Sequence, residues 1–249
     1  MKPAKTKDEI KKFYSSTDTS NKYIDKRFSS AVGRVMHERQ VRFVNDAICK
    51  YSVKNILEFA PGPARVSADV TGFEKGTMVE VNENMLLIAK ERLEKRGILK
   101  YWQLILSDVF EFTPKEKFGL VYTFRFIRHF DLEMRRRLYS NIGYCLNEGG
   151  FLIFDVPNIK VIQPIREKKG PGEIYDELYT KDQFIEEMED NGYRVLKMAS
   201  VWSHYSRIQY WIQIFLGPRW SQGAYFLIKL FENDNGKNPL EWIALCQKK

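Results

Sequence analysis

Residues 56–65 read Ile-Leu-Glu-Phe-Ala-Pro-Gly-Pro-Ala-Arg, an apolar strand end running into a loop of small residues. Glu58, Ala60, Gly62 and Ala64 fall at every second position, so an acid at the strand tip is followed by three side chains of one carbon or none. A loop built this way lets backbone approach a ligand closely. A helix is expected to follow over 64–72, its N-terminus pointing at the same place.

Two further acids stand in step with the first. Gly76-Thr77-Met78-Val79-Glu80-Val81 is a short β-branched run ending in an acid, 18 residues beyond Gly62. In a doubly wound sheet the second strand ends beside the first, and an acid about 20 residues on is placed to hold a ribose. Leu104-Ile105-Leu106-Ser107-Asp108-Val109-Phe110 then gives a third strand ending in Ser-Asp. A dinucleotide fingerprint is not met, because the glycine needed for close helix–strand packing is replaced by Arg65.

The alternation from Glu58 to Ala64 resembles motif I of the class I S-adenosylmethionine-dependent methyltransferases, usually Glu/Asp-x-Gly-x-Gly-x-Gly, with alanine at two glycine places. Glu80-Val81-Asn82-Glu83-Asn84-Met85-Leu86 resembles the second motif of that family, with Asn82 or Asn84 capping a helix that starts near Met85. Leu146-Asn147-Glu148-Gly149-Gly150 resembles its Leu-x-Pro-Gly-Gly, with Asn147-Glu148 in the place of x-Pro. The likeness covers about residues 53 to 157 closely and 180 to 249 loosely.

The resemblance implies S-adenosyl-L-methionine as cofactor. Glu58, Ala60 and Gly62 would form the methionine-binding loop, Glu80 and Val81 the ribose contact, and Asp108 with the Val109 N–H the adenine contact. Thr123 would present backbone to the amino-acid end of the ligand. Tyr23 and Arg27, in Tyr-Ile-Asp-Lys-Arg-Phe, resemble an aromatic-and-Arg stretch that lies near that end.

From Val53 onward, short β-branched or aromatic runs alternate with helical stretches. Strands are expected near 54–59, 77–82, 102–107, 118–124, 149–155, 194–202 and 240–247. Helices are expected near 64–72, 84–96, 132–146 and 180–191. Such alternation builds an α/β fold, a doubly wound, mostly parallel sheet with helices on both faces. The family likeness makes it a seven-stranded Rossmann-like sheet whose C-terminal strand runs antiparallel. Residues 1–52 read as a helical N-terminal cap, with helices at 8–14 and 23–51, and 53–249 as the methyltransferase domain.

The chain has 249 residues, 44% of them apolar, enough for one sizeable domain. No apolar run approaches the roughly 20 residues that span a bilayer, and the first nine residues lack the apolar core of a signal peptide. Cys49, Cys145 and Cys246 are far apart and show no metal-ligand spacing, so reduced thiols in a cytoplasmic protein are expected, and no metal. Residues 1–50 hold 12 Lys/Arg and 6 Asp/Glu, so +6 of the net +8 lies there. The two signs are interspersed, as on a solvated helix pair.

The fourth strand leads into Tyr122-Thr123-Phe124-Arg125-Phe126-Ile127-Arg128-His129. The Asn/Asp-Pro-Pro-Tyr/Phe motif of enzymes that methylate exocyclic amines or amides is absent; the stretch resembles that of small-molecule methyltransferases with a His after this strand. His129 is the candidate general base, since a neutral imidazole can take a proton from a hydroxyl near neutral pH. The alternative is a His that caps the next helix or pairs with Asp131. Arg125 and Arg128 are candidates for an anionic substrate, or for bonding within the protein.

Residues 203–238 form an aromatic insertion between the last two strands, split by Gly217-Pro218 into two helices. Ile208, Trp211, Ile212 and Phe215 have the spacing of one apolar stripe. Packing against the protein, an apolar substrate pocket in which Trp211 would take part, a dimer surface and peripheral membrane contact all fit this pattern. The reading is methyl transfer to a small, apolar or aromatic acceptor. An RNA methyltransferase using the basic N-terminal region and a non-catalytic cofactor-binding protein are the alternatives. Nucleic acid is disfavoured as a partner because the aromatics do not lie among basic residues, and oligomeric state is not specified.

Overall fold

A computed structural model describes residues 29–170 and 175–249. Tyr23 and Arg27, and the helix expected at 8–14, lie outside the described residues. The first element is helix α1 (Ala31–Lys50), capped by the Ser30 hydroxyl accepting the Gly33 N–H at 3.1 Å. Strands β1 (Asn55–Phe59), β2 (Lys75–Glu80), β3 (Trp102–Leu106) and β4 (Phe118–Thr123) follow, with helix α2 (Glu83–Lys95) between β2 and β3. Then come α3 (Leu132–Cys145), β5 (Leu146–Pro157), α4 (Ile159–Lys169), α5 (Lys181–Asp190) and β6 (Tyr193–Val201). A helical hairpin comprising a π-turn at Tyr205–Gln209, α6 (Tyr210–Phe215) and α7 (Ser221–Leu230) precedes β7 (Glu241–Lys248).

The seven strands lie in the order β3-β2-β1-β4-β5-β7-β6. β7 pairs antiparallel with both β5 and β6, and the remaining pairings are parallel. The sheet is apolar on both faces because successive side chains of a buried strand point to opposite sides. Leu57, Phe59, Val121 and Phe154 enter a core with Leu138 and Tyr139 of α3 and Phe184 of α5. Ile56, Met78, Leu120 and Tyr122 enter the opposite core with Phe43 and Val44 of α1 and Leu93 of α2. Each fully buried aliphatic or aromatic side chain contributes roughly 1.5–3 kcal/mol. Strand order reverses between β1 and β4, and the carboxyl ends of the strands beside that point form the crevice where such sheets bind ligands.

Three expectations are corrected. No helix forms over 64–72; residues 62–69 run through consecutive turns, with Ala64 N–H bonded to Pro61 O and Ala68 N–H to Ala64 O. The reason is local: Ala60, Gly62 and Ala64 all have φ of 51–55°, and two prolines interleave them. The fifth strand, expected from Gly149, begins at Leu146, so Gly149-Gly150 lies within β5, where the register to β4 shifts between Phe118 and Leu120. Helix α4 was not foreseen, because Pro164 stands inside it and hides its periodicity.

Candidate active site

The three acids stand at or just beyond the carboxyl ends of the neighbouring strands β1, β2 and β3. Glu58 pairs in register with Met78 on β2 and Tyr122 on β4, so the three side chains share one face of the sheet. Beyond it the Ala60 N–H bonds Val79 O at 2.9 Å, carrying the ladder one step past β1. Glu80, two residues after Met78, therefore ends on the same face. Its Oε2 accepts the Gly62 N–H at 3.0 Å, and its Oε1 accepts those of Val81 at 3.0 Å and Asn82 at 2.9 Å. A carboxylate has about four acceptor positions, so these bonds among the described residues leave one. Burial raises the pKa of Glu80, against the pull of these three N–H donors.

Glu58, Ala60, Pro61, Gly62, Arg65, Val66, Phe124 and Arg125 line a cleft of about 350 Å³, mouth included. Glu58 is buried, and that burial pushes its pKa up to about 8, while Tyr122 and Arg65 oppose the shift. The Ser67 hydroxyl donates to its carboxylate. Arg65 donates to Nδ1 of His37 at 2.9 Å and to the Gln40 side-chain oxygen, both on α1. An arginine can only donate, so Nδ1 of His37 is the acceptor and its proton sits on Nε2, facing Asp69 at 2.9 Å. Burial, then the Arg65 charge, lowers the His37 pKa in keeping with that neutral ring. No partner for His37 was legible in the sequence, because Arg65 and Asp69 lie 28 and 32 residues away.

Asp108 stands after β3, and its Oδ1 accepts the Phe110 N–H at 2.9 Å. Val109 is buried, its carbonyl taken by the Asn141 side chain. Asn82, not Asn84, caps α2, accepting the Met85 N–H at 3.2 Å.

Thr123 is buried at the end of β4, and its hydroxyl has no hydrogen-bond partner among the described residues. Arg125 has φ of 58°, a strained value for a residue other than glycine, and its N–H is held by Asp155. Its Nε is buried with no hydrogen-bond partner among the described residues. Arg128 is placed differently. Its guanidinium is buried against Asp155 at 2.6 Å, Glu241 at 2.9 Å and Asp176 at 3.0 Å, so its charge is already matched inside the protein. It does not line the cleft.

His129 ends a 3₁₀ turn, Ile127–His129, and is buried. Its Nδ1 lies 2.8 Å from the Tyr175 carbonyl and 3.1 Å from Asp176. A carbonyl can only accept, so Nδ1 carries the proton and Nε2 is the basic nitrogen. Burial would raise the pKa of Asp176, but Arg128 and His129 hold it far below the usual carboxylate range. Asp131, considered from sequence as the partner of His129, instead caps α3 through the Met134 N–H at 2.9 Å. Trp211 is half exposed on α6, stacked on Phe215 at 5.7 Å, and does not line the cleft.

Residues 56–150 match a family described as "Methyltransferase domain". The sheet order and its antiparallel last strand are those of the Rossmann-like fold of solved S-adenosylmethionine-dependent methyltransferases. Among solved structures, magnesium protoporphyrin IX methyltransferase from Synechocystis, crystallised with S-adenosylhomocysteine, is similar over 97% of this chain and 99% of its own, at 10% identity and a TM-score of 0.65. A methyltransferase from Clostridium acetobutylicum is similar over 97% and 98%, at 13% identity and 0.63. The N-methyltransferase NodS from Bradyrhizobium japonicum is similar over 93% and 99%, at 12% identity and 0.59. No curated protein matches the chain by sequence.

Proposed function

We propose that the protein transfers the methyl group of S-adenosyl-L-methionine to a small-molecule acceptor, apolar or aromatic in character. The observation that carries this reading is the Glu80 carboxylate beside the Gly62 loop at adjacent strand ends. The residues fit such a ligand. A Cβ placed on Gly62 meets no atom of the described residues within 4 Å, which leaves room directly over the loop. The similar folds include proteins described as acting on a magnesium porphyrin and as an N-methyltransferase, which supports a small-molecule acceptor.

When bound, the cofactor supplies a methyl group already activated on a sulfonium. The rest falls to this chain. Ala60 and Gly62 let backbone approach the methionine end, with Thr123 across from them. Glu58, as the protonated acid, would accept a hydrogen bond from its ammonium through the carbonyl oxygen, and Arg65 would bring a positive charge to its carboxylate. Glu80, with Val81 beside it, accepts a ribose hydroxyl through its remaining lone pair, and Asp108 with Val109 faces the adenine. Arg125 holds an anionic part of the acceptor. Nε2 of His129 would take the proton the acceptor loses when the methyl group passes to it and the sulfonium is left as a neutral thioether.

Incubation of cell extract with cofactor, with and without the protein, tests the activity. A small molecule heavier by one CH₂ only in the complete reaction supports it. Cofactor consumption with no low-molecular-weight product, or label appearing in RNA, contradicts it.

A further inference from the structure

The helical hairpin of α6 and α7 presents an unusual outer surface. Trp211, Ile214, Phe215, Trp220, Phe226 and Leu230 are each between 48% and 78% exposed. Scattered single exposed apolar residues are ordinary on any surface; six within 20 consecutive positions are not. They fall at helical spacing, Trp211 with Phe215 on α6 and Phe226 with Leu230 on α7, so each helix shows one apolar face outward. The opposite faces are occupied. Ala224 and Ile228 pack against Ala31 and Val35 of α1, with Ile212 and Leu216 at the edge. Trp220 is braced, since a Cβ on Gly223 would fall 2.2 Å from its ring.

Charge distinguishes among possible occupants. From Ser203 to Phe231 the chain has no Asp or Glu, and its charged residues are Arg207, Arg219 and Lys229, all exposed. Lys229 is paired with Glu38 at 2.8 Å. A second copy seated on this face by twofold symmetry would bring the same cationic surface against itself. An anionic lipid surface complements it, and exposed Trp and Phe rings suit the headgroup boundary.

We propose that the α6–α7 hairpin docks the protein on anionic membrane surfaces, inserting Trp211, Phe215, Trp220 and Phe226 at headgroup depth with Arg207 and Arg219 against lipid phosphates. The face stands one helix from the cleft. α1 packs on α7 through Ala31 and Val35 and reaches the cleft wall through His37 and Gln40, which hold Arg65. A docked enzyme thereby has its cleft beside the bilayer, which suits an acceptor dissolved in lipid. The docking does not depend on methyl transfer and is tested without it.

The test is flotation of the full chain with vesicles of phosphatidylcholine alone or mixed with phosphatidylglycerol. The wild-type protein floats with the mixed vesicles and less with the neutral ones, and raising salt weakens the binding. Phe226→Ser and Trp211→Ser each lower partitioning about 10-fold, the value of one buried aromatic ring. Arg219→Glu removes the preference for the anionic lipid. Unchanged melting temperatures show that the variants are folded. Failure of the wild type to float, variants that float equally, or a dimer in sedimentation that Phe226→Ser dissociates would each overturn the proposal.

Discussion

Glu80 at the end of β2 accepts the backbone N–H of Gly62 at 3.0 Å, tying the tip of one strand to the loop that leaves its neighbour. Eighteen residues of chain separate the two groups, and this bond brings the acid to the position where a ribose would lie. The loop is held in the left-handed region by Ala60 at φ 51°, Gly62 at 55° and Ala64 at 53°. Alanine in that region costs roughly 1–2 kcal/mol, and glycine costs little there.

Ala60→Gly and Ala64→Gly therefore each leave stability unchanged or raise it by about 1 kcal/mol, after the extra freedom of glycine in the unfolded chain is subtracted. For a chain of this size that corresponds to about 2–4 °C in melting temperature. Thermal unfolding of the two variants checks it. A loss of several degrees in either would mean the alanine methyls pack usefully where they stand.

Glu58 gives a pH dependence of defined sign. Its pKa is pushed up to about 8 in the folded protein, against an unfolded value of 4.5. Between those values the folded protein keeps a proton that the unfolded chain has released. The contribution of Glu58 is thus full below the unfolded pKa and is lost as pH rises through the folded one, at up to about 1.4 kcal/mol per unit. Glu58→Gln removes that slope. Denaturant titrations from pH 5 to 8 should show the variant gaining on wild type as pH rises, and parallel curves would contradict the burial argument.

Arg128→Met should destabilise the protein by about 3–5 kcal/mol at neutral pH, because Asp155, Glu241 and Asp176 lose their shared cation in the interior. The deficit should shrink towards acidic pH, where these carboxylates can protonate. Arg125→Ala should leave stability nearly unaltered, since the Asp155 bond goes to the Arg125 backbone N–H. Equal losses in the two variants would contradict the division of roles.

With an acceptor in hand, His129→Gln should lower kcat by about 10²–10⁴ if the acceptor loses its proton in the transition state. Cofactor affinity should stay unchanged. A change confined to melting temperature would leave His129 a structural residue, held by Tyr175 and Asp176.

Much of the architecture was legible because it depends on local pattern. Short β-branched or aromatic runs marked all seven strands, and Asn82, one of the two caps expected, caps the helix that follows it. The acids at 58, 80 and 108 were readable because motif spacing is itself a sequence quantity. What stayed hidden depends on distant pairing. Asp155 and Glu241 close on Arg128 from 27 and 113 residues away, and His37 meets Arg65 across 28. No periodicity encodes such partners. The missing helix after β1 is instructive in another way: the small residues were correctly seen as a loop, but three positive φ values in five residues leave no helical start.

Calorimetric titration of the wild-type protein and Glu80→Ala with S-adenosylhomocysteine tests the central claim most directly. Wild type should bind one equivalent and gain about 2.7 kcal/mol of stability at a hundredfold excess over Kd. Glu80→Ala should bind roughly 100-fold more weakly, as expected for a lost hydrogen bond to a charged group together with a loosened Gly62 loop. Absence of binding to the wild type, or equal affinity in a folded variant, would contradict the account.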